Sequence, residues 1–266
     1  MSLRSVGLAL LCAAALPACA TRGFVVPVGP GTPALDMVDV WQEATRACRD
    51  ASVFTATIHL KGRAGPDHGA IPGVLLGVAL TRNDDIWINA TKFLVFGGVF
   101  TLAGHRDAAT LWLTHDNRVV TAPAADIVEA LTGLRVTPRE FMALMAGCVV
   151  ADGAPAGGAR IGETLVTSIG PARVFLQRAG ASWRVVYGTR PDVTVEYTKF
   201  SGEWPSKVHV TSPPDAVDPF DLTLDIEDVN VSVTLAPEKF HVNPRTDAMP
   251  MSLAELKASG PLGKKD

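Results

Sequence analysis

The chain has 266 residues, of which 47% are hydrophobic and 6% aromatic, and its formal net charge is −3 at pH 7. A slightly acidic chain offers little attraction to the phosphates of nucleic acids, so we expect no nucleic-acid partner. The length suffices for one large β domain or two small ones with a sizeable core, and we favour one domain.

The first residues carry a targeting pattern. Arg4 precedes an apolar run from Val6 to Leu16, which is shorter than the roughly 20 apolar residues of a membrane-spanning helix. The run closes with the sequence Leu-Pro-Ala-Cys, which resembles the lipobox of bacterial lipoproteins. The resemblance implies that residues 1–18 are a signal peptide and that Cys19 becomes the acylated first residue, as by palmitate. The alternative is an ordinary secretory signal with an incidental cysteine.

Residues 19–33 are predicted to be a flexible tether, because they are rich in proline and glycine and lack any period. A helix is then expected, with Thr32 as its N-cap and Pro33 at its first position. Its predicted apolar face consists of Leu35, Val38, Trp41, Thr45 and Cys48.

Alternating apolar and polar residues predict strands from residue 52 to about 121, as in the run from Phe54 to Leu60. The pattern is typical of an antiparallel meander with one buried face. It returns in a hairpin predicted at residues 172–178 and 182–188, and in further runs at 193–200 and 206–211. It is cleanest at Phe220–Ile226 and at Val229–Leu235, which we predict to be the last two strands.

Two helices are predicted to interrupt the meander. The first spans residues 124 to 132, and the second begins with the capping box of Thr137 and Glu140. Another capping box, Ser252 with Glu255, predicts a short C-terminal helix.

These elements predict a mainly β fold with helices, in the α+β class. We expect a curved antiparallel half-barrel of about ten strands, covered on its concave face by helices. Residues 34–266 would form this single domain, with helices at about 124–147 as a lid. The same helices could instead pack the interior solid.

Cys48 and Cys148 are the remaining cysteines of the predicted mature chain. Export would place them in an oxidising compartment, where disulfides persist. We predict a possible disulfide between them, with two free thiols as the alternative.

The order of elements resembles the incomplete β-barrel of the LolA/LolB family, shared by the LppX/LprG-like lipoproteins. The resemblance rests on the lipobox, an N-terminal helix, about six strands, two helices and the remaining strands, with a tail from FDLTLDIEDVNVSVTLAPEKFHVNP to MSLAELKASGPLG. It implies a carrier of lipids, or of the acyl chains of lipoproteins, anchored in the outer membrane and facing the periplasm. It also implies a periplasmic carrier protein as a partner.

An apolar pocket can hold acyl chains without specific polar groups. The predicted lipid-binding residues are Ile58, Leu60, Leu76, Val78, Ile88, Leu102, Leu111, Leu113, Ile127, Leu131, Phe141, Leu144 and Met145. For each of them, ordinary core packing is the alternative. The run Phe93–Phe96 is interpreted either as an exposed cargo-depositing loop or as a buried strand.

Nothing in the sequence predicts an enzyme. The six histidines lack the helical spacing of a zinc site, and no nucleophile elbow, phosphate loop or dinucleotide motif occurs. We therefore predict no catalytic residue, cofactor or metal. The rival to a carrier is a structural or accessory lipoprotein of an envelope assembly with a solid core.

Overall fold

A curved sheet forms the frame of the fold. The computed structural model describes residues 23–65, 69–92, 98–260 and 262, and within them fifteen strands join one sheet. The strands are β1 (Thr32–Pro33), β2 (Val53–Ala64), β3 (Gly69–Thr81), β4 (Asp85–Lys92), β5 (Gly98–His105), β6 (Ala108–Leu113), β7 (Arg118–Ala122), β8 (Gly158–Ile161), β9 (Thr164–Ile169), β10 (Ala172–Ala179), β11 (Ser182–Thr189), β12 (Thr194–Ser201), β13 (Trp204–Thr211), β14 (Phe220–Asn230) and β15 (Met249–Pro250). The helices are α1 (Met37–Asp50), α2 (Ala124–Thr132), α3 (Pro138–Met145) and α4 (Leu253–Ser259).

The order across the sheet is β1-β8-β9-β10-β11-β12-β13-β14-β2-β3-β4-β5-β6-β7-β15. Neighbouring strands are antiparallel, except for the short parallel pair of β7 and β15. Strand β14 lies between β13 and β2, with Leu224 opposite Leu60 and Ile226 opposite Ile58. It thereby joins the strands that follow α3 to those that precede α2. Because β1 and β15 lie at opposite edges, the sheet is an open half-barrel.

The predicted fold class is confirmed, but the sheet has more strands than the ten or so expected. Residues 158–169 contain an additional hairpin, β8 and β9. The two-residue strands β1 and β15 then extend the edges of the sheet. Such short pairings carry no periodic signal in the sequence, so alternation could not predict them.

The concave face of the sheet is apolar because its strands alternate. In β2, Phe54, Ile58 and Leu60 are buried, whereas Lys61 on the other face is exposed. Helix α1 packs against β11, α3 against β3 and β4, and α2 against β6 and β7. The helices therefore cover the concave face, as predicted.

Helices α2 and α3 occupy the predicted positions. Helix α2 ends where Gly133 adopts φ 78°, a left-handed conformation that glycine accepts readily. The predicted capping box starts α3: the backbone N–H of Glu140 donates to Oγ1 of Thr137 (3.2 Å), and that of Thr137 donates to Oε2 of Glu140 (2.8 Å). Local signals sufficed here because capping involves residues only three positions apart.

The predicted start of α1 is wrong. Thr32 and Pro33 pair with Arg160 and Ala159 of β8 rather than capping the helix, which begins at Met37. As a result Leu35 is 98% exposed. The later part of the predicted face is correct, because Trp41, Thr45 and Cys48 are buried.

The predicted strand Val229–Leu235 is also wrong. The chain turns at Asp228, where φ is 55°, and β14 ends at Asn230. Residues 231–242 then cross the outer face of the sheet, where Val233 and Leu235 line a cavity with Ala103. The alternation is that of an extended chain with one side packed on the outer face of the sheet. Such a chain can alternate without pairing with a neighbouring strand.

The N-terminal segment is held against the sheet. The ring of Phe24 stacks on Tyr187, with 4.9 Å between the ring centroids, and its N–H donates to Oε1 of Glu196 (2.6 Å). The predicted tether spans residues 19–33, and its described part begins at residue 23. This part contacts β11, β12 and β8.

Candidate functional site

The concave face and the helices above it form one continuous apolar cluster. The structure brings the predicted lipid-binding residues together in this cluster, each at most 9% exposed: Ile58, Leu60, Leu76, Val78, Ile88, Leu102, Leu111, Leu113, Ile127, Leu131, Phe141, Leu144 and Met145. The described helices lie directly on the sheet, and these residues pack against one another. Contact of these residues with lipid stays a prediction.

An apolar-walled cavity of about 490 Å³ lies at one end of the half-barrel, and we call it the mouth cavity. It is surrounded by the end of β2, the start of β3, the last turn of α2, and α4. Its lining residues are Ala64, Gly65, Gly69, Ile71, Glu129, Ala130, Leu131, Gly133, Asp218, Ala254, Lys257, Ala258, Ser259, Gly260 and Leu262. The volume lies within the roughly 300–1,000 Å³ of ordinary ligand sites. Leu131 belongs both to this lining and to the core cluster, so the cavity borders the predicted lipid-binding residues.

Helix α4 covers the mouth cavity and is held mainly by exposed contacts. Leu256 is its one buried residue, and Lys257 pairs with Asp218 across the cavity (2.5 Å). The capping box of Ser252 and Glu255 starts the helix, and Glu255 also pairs with Arg118 (3.0 Å). An element with so little buried apolar surface detaches at low cost.

The carboxylate of Glu255 has a low pKa. It accepts hydrogen bonds from the backbone N–H of Ser252 and from the Ser252 hydroxyl, both at 2.8 Å. These bonds, with the nearby Arg118 guanidinium, lower the pKa of Glu255 to about 2. The charged form of Glu255 therefore helps to hold the start of α4.

Helix α3, at the opposite end of the half-barrel, is fastened on several sides. Cys148, just after α3, forms a disulfide with Cys48 of α1, with 6.2 Å between their Cα atoms. The buried Tyr197 hydroxyl donates to the carbonyl of Leu144 (3.1 Å), and burial raises the pKa of Tyr197. The buried carboxylate of Asp84 accepts from the backbone N–H of Arg139 (3.1 Å).

The sequence matches no protein-family model and no curated protein. Solved structures do resemble it. A LolA superfamily protein from Nitrosomonas europaea superposes with a TM-score of 0.50 at 12% identity, covering 79% of this chain and 98% of its own. The fold is shared with a LolA superfamily protein.

Two further structures match less closely. An uncharacterized conserved protein from Thermus thermophilus gives a TM-score of 0.37 at 11% identity, covering 80% of this chain and 97% of its own. A Vibrio parahaemolyticus domain described as an outer membrane lipoprotein-sorting domain gives 0.43 at 10% identity, covering 77% and 96%.

Several sequence predictions fall outside the described residues. Cys19 and the run Phe93–Phe96 are among them. Within the described residues, no group of three or more histidine, cysteine or acidic side chains is arranged to hold a metal ion. None of the helices described there is long and apolar enough to cross a membrane.

The sequence did not indicate which residues from distant parts of the chain complete the core and the mouth cavity. Leu256 and Leu262 are buried, and Leu262 lines the mouth cavity. The Ser252 capping box predicted a helix there, but nothing local indicated where it would pack. No local pattern marked Asp84 either, although its positive φ of 67° and its burial identify it as a structural anchor.

Proposed function

We propose that this protein is a lipid-anchored carrier of the bacterial envelope, which holds acyl chains of lipids or lipoproteins between its concave sheet and its helices. The observation that carries the proposal is the mouth cavity, because it opens beside a continuous apolar cluster and is covered by a weakly held helix. Removing acyl chains from water supplies about 0.8 kcal/mol per methylene, so binding needs no specific polar group.

In this proposal Cys19 carries the anchor, and the protein sits on the outer membrane facing the periplasm. A periplasmic carrier protein would deliver the cargo at the mouth cavity. The fold shared with a LolA superfamily protein agrees with such a role, and the protein would carry out no catalysis.

One observation favours a second candidate, an accessory subunit with a solid core. The predicted lipid-binding residues are packed against each other in this structure, and Ile58, Leu102, Ile127 and Leu144 are 0% exposed. A carrier must therefore open to accept cargo, whereas a scaffold need not.

Lipid analysis separates the two candidates. Residues 1–19 are replaced by a cleavable secretory signal without a lipobox, so that the chain is exported without its anchor. The protein is purified from the periplasm, and its non-covalently bound lipid is measured by mass spectrometry. We expect about one lipid per chain for a carrier. Trace amounts alone would favour the scaffold.

A pair of variants of α2 locates the lipid. Ala130 lines the mouth cavity, and Ala125 on the same helix does not. Ala130→Trp should fill the cavity and strongly reduce bound lipid, whereas Ala125→Trp should leave it unchanged. Equal lipid content in the two variants would contradict entry through the mouth cavity.

A further inference from the structure

A second cavity, of about 210 Å³, lies at the end of the half-barrel opposite the mouth cavity. Helix α1, helix α3 and the turn after β3 enclose it, and we call it the arginine cavity. Gly69 at the start of β3 borders the mouth cavity, and Arg82, just after the end of β3, borders the arginine cavity. A strand rises about 3.3 Å per residue, so the curved strand β3 separates the two cavities by at most about 40 Å.

The lining of the arginine cavity is cationic. Arg49, Arg82 and Arg139 contribute three guanidinium groups, and Asp152 contributes the one carboxylate of the lining. Arg139 pairs with Asp152. Among the described residues, Arg49 and Arg82 form no ion pair, so the lining carries two uncompensated positive charges.

The hydrogen-bond donors of these two arginines are largely unused. Nη2 of Arg49 donates to the carbonyl of Gln42 (3.1 Å), and Nη2 of Arg82 donates to the carbonyl of Ala51 (2.8 Å). Each guanidinium has five N–H donors, so both retain donors for a ligand.

Trp41, which also lines the cavity, carries a buried donor without a partner in the described part of the chain. Trp41 is 2% exposed, and within the described residues its indole Nε1 finds no acceptor. A buried donor without an acceptor is costly to the folded state. The arginine cavity thus combines excess positive charge with the unused donors of Arg49 and Arg82.

The floor of the arginine cavity is continuous with the apolar core. Met142, Ala143 and the disulfide of Cys48 and Cys148 line it and also belong to the core cluster. A volume of about 210 Å³ equals that of several water molecules, at about 30 Å³ each in the liquid, which leaves room for a phosphate group.

We propose that the arginine cavity binds a phosphate group, presented either by a free phosphate or by the headgroup of an acidic phospholipid. Guanidinium groups match the oxygens of phosphate in a two-pronged geometry, which favours this anion over a spherical one. The headgroup source rests on the proposed carrier function, and the free phosphate does not.

The affinity for inorganic phosphate tests the site. It is measured by calorimetric titration of the full chain in a non-ionic detergent. The double variant Arg49→Gln/Arg82→Gln should bind phosphate about tenfold more weakly than the wild type or worse. The matched control is Arg46→Gln on the same helix, because Arg46 pairs with the exposed Glu203 (2.8 Å) and does not line the cavity. The control should bind like the wild type.

The double variant could lose structure, because Arg82 holds the carbonyl of Ala51. Arg49→Gln alone avoids this risk and should still weaken phosphate binding by about threefold. Thermal unfolding of each variant identifies any loss of fold. No phosphate binding by the wild type, or equal affinity in the wild type and Arg49→Gln, would overturn the proposal.

Mass spectrometry of phospholipid bound to the same full-chain variants distinguishes the two sources. Loss of phospholipid in the double variant, but not in Arg46→Gln, assigns the cavity to a headgroup. Unchanged phospholipid with lost phosphate affinity assigns it to a free phosphate. Phosphate binding by a wild-type protein that contains no lipid would refute the carrier function and leave the phosphate site standing.

Discussion

The two ends of the half-barrel differ in what holds their helices in place. At the end of the arginine cavity, α3 is bound by a disulfide, a capping box and a buried tyrosine hydroxyl that donates to its backbone. At the end of the mouth cavity, α4 has seven residues and one buried side chain, Leu256. The comparison indicates that opening begins at α4 while α3 stays fixed, because elements with few buried contacts open first.

The disulfide should give the largest effect in this comparison. It closes a loop with a sequence separation of 100 residues, for which chain entropy predicts a contribution of about 3 to 5 kcal/mol. We expect Cys48→Ala/Cys148→Ala to lower the free energy of unfolding in urea by that amount. Dithiothreitol should lower the wild type to the same level, and a loss below about 1 kcal/mol would contradict a dominant role for this bond.

The anchor of α4 should affect cargo exchange more than global stability. Truncating a buried leucine costs about 2–5 kcal/mol where the whole fold depends on it. Leu256→Ala should cost less, about 1 kcal/mol, because α4 can detach by itself. The dissociation rate of a bound fluorescent fatty acid should rise about tenfold, as measured by stopped flow.

Leu256→Met provides the control, since it conserves volume and should behave like the wild type. An unchanged dissociation rate in Leu256→Ala would show that cargo does not leave beneath α4.

Sequence patterns predicted the elements whose signals are local. The capping boxes of α3 and α4 and the alternation in β2 and β14 each depend on residues a few positions apart, and the structure confirms them. The fold class followed from their order. Local rules failed at Thr32, where pairing with β8 outweighed a good N-cap signal.

The mouth cavity could not be predicted in the same way. Three segments meet to form it: the β2–β3 hairpin near Gly69, the last turn of α2, and helix α4. These segments are distant in sequence, and their side chains are mostly small, so no periodic pattern marks them. The route of residues 231–242 over the outer face depends on the turn at Asp228, and local patterns could not predict it either.

The two capping boxes allow a direct comparison of the ends. Thr137→Ala should lower the free energy of unfolding by about 1 kcal/mol, because α3 is part of the fixed end. Ser252→Ala should lower the free energy of unfolding by no more than a few tenths of a kcal/mol, because α4 detaches before the rest of the domain unfolds. Urea unfolding checks both values, with Thr137→Ser and Ser252→Thr as controls. Equal losses at the two ends would contradict the difference between them.

Acidic pH should loosen the mouth end by a small amount. The pKa of Glu255 is lowered to about 2 from an ordinary value near 4.3, so its contribution is complete above that ordinary value. It is lost as the pH falls from about 4.5 toward 2, because protonation removes the negative charge that strengthens the hydrogen bonds from Ser252 and attracts Arg118. A nuclear magnetic resonance titration of the Glu255 carboxyl carbon should show a midpoint near 2.

Arg118→Gln should move that midpoint upward, since it removes the neighbouring positive charge. A midpoint near 4.3 in the wild type would mean that the capping box does not persist in solution.

The central claim is that hydrocarbon lies between the concave sheet and its helices, and photo-crosslinking tests it most directly. The protein is loaded with a palmitate analogue that carries a diazirine along its chain, irradiated, and mapped by peptide mass spectrometry. The account predicts adducts on Leu131, Phe141, Leu144 or Met145, which face the core cluster. Adducts confined to exposed apolar residues such as Val25, Val28 and Leu35 would contradict it.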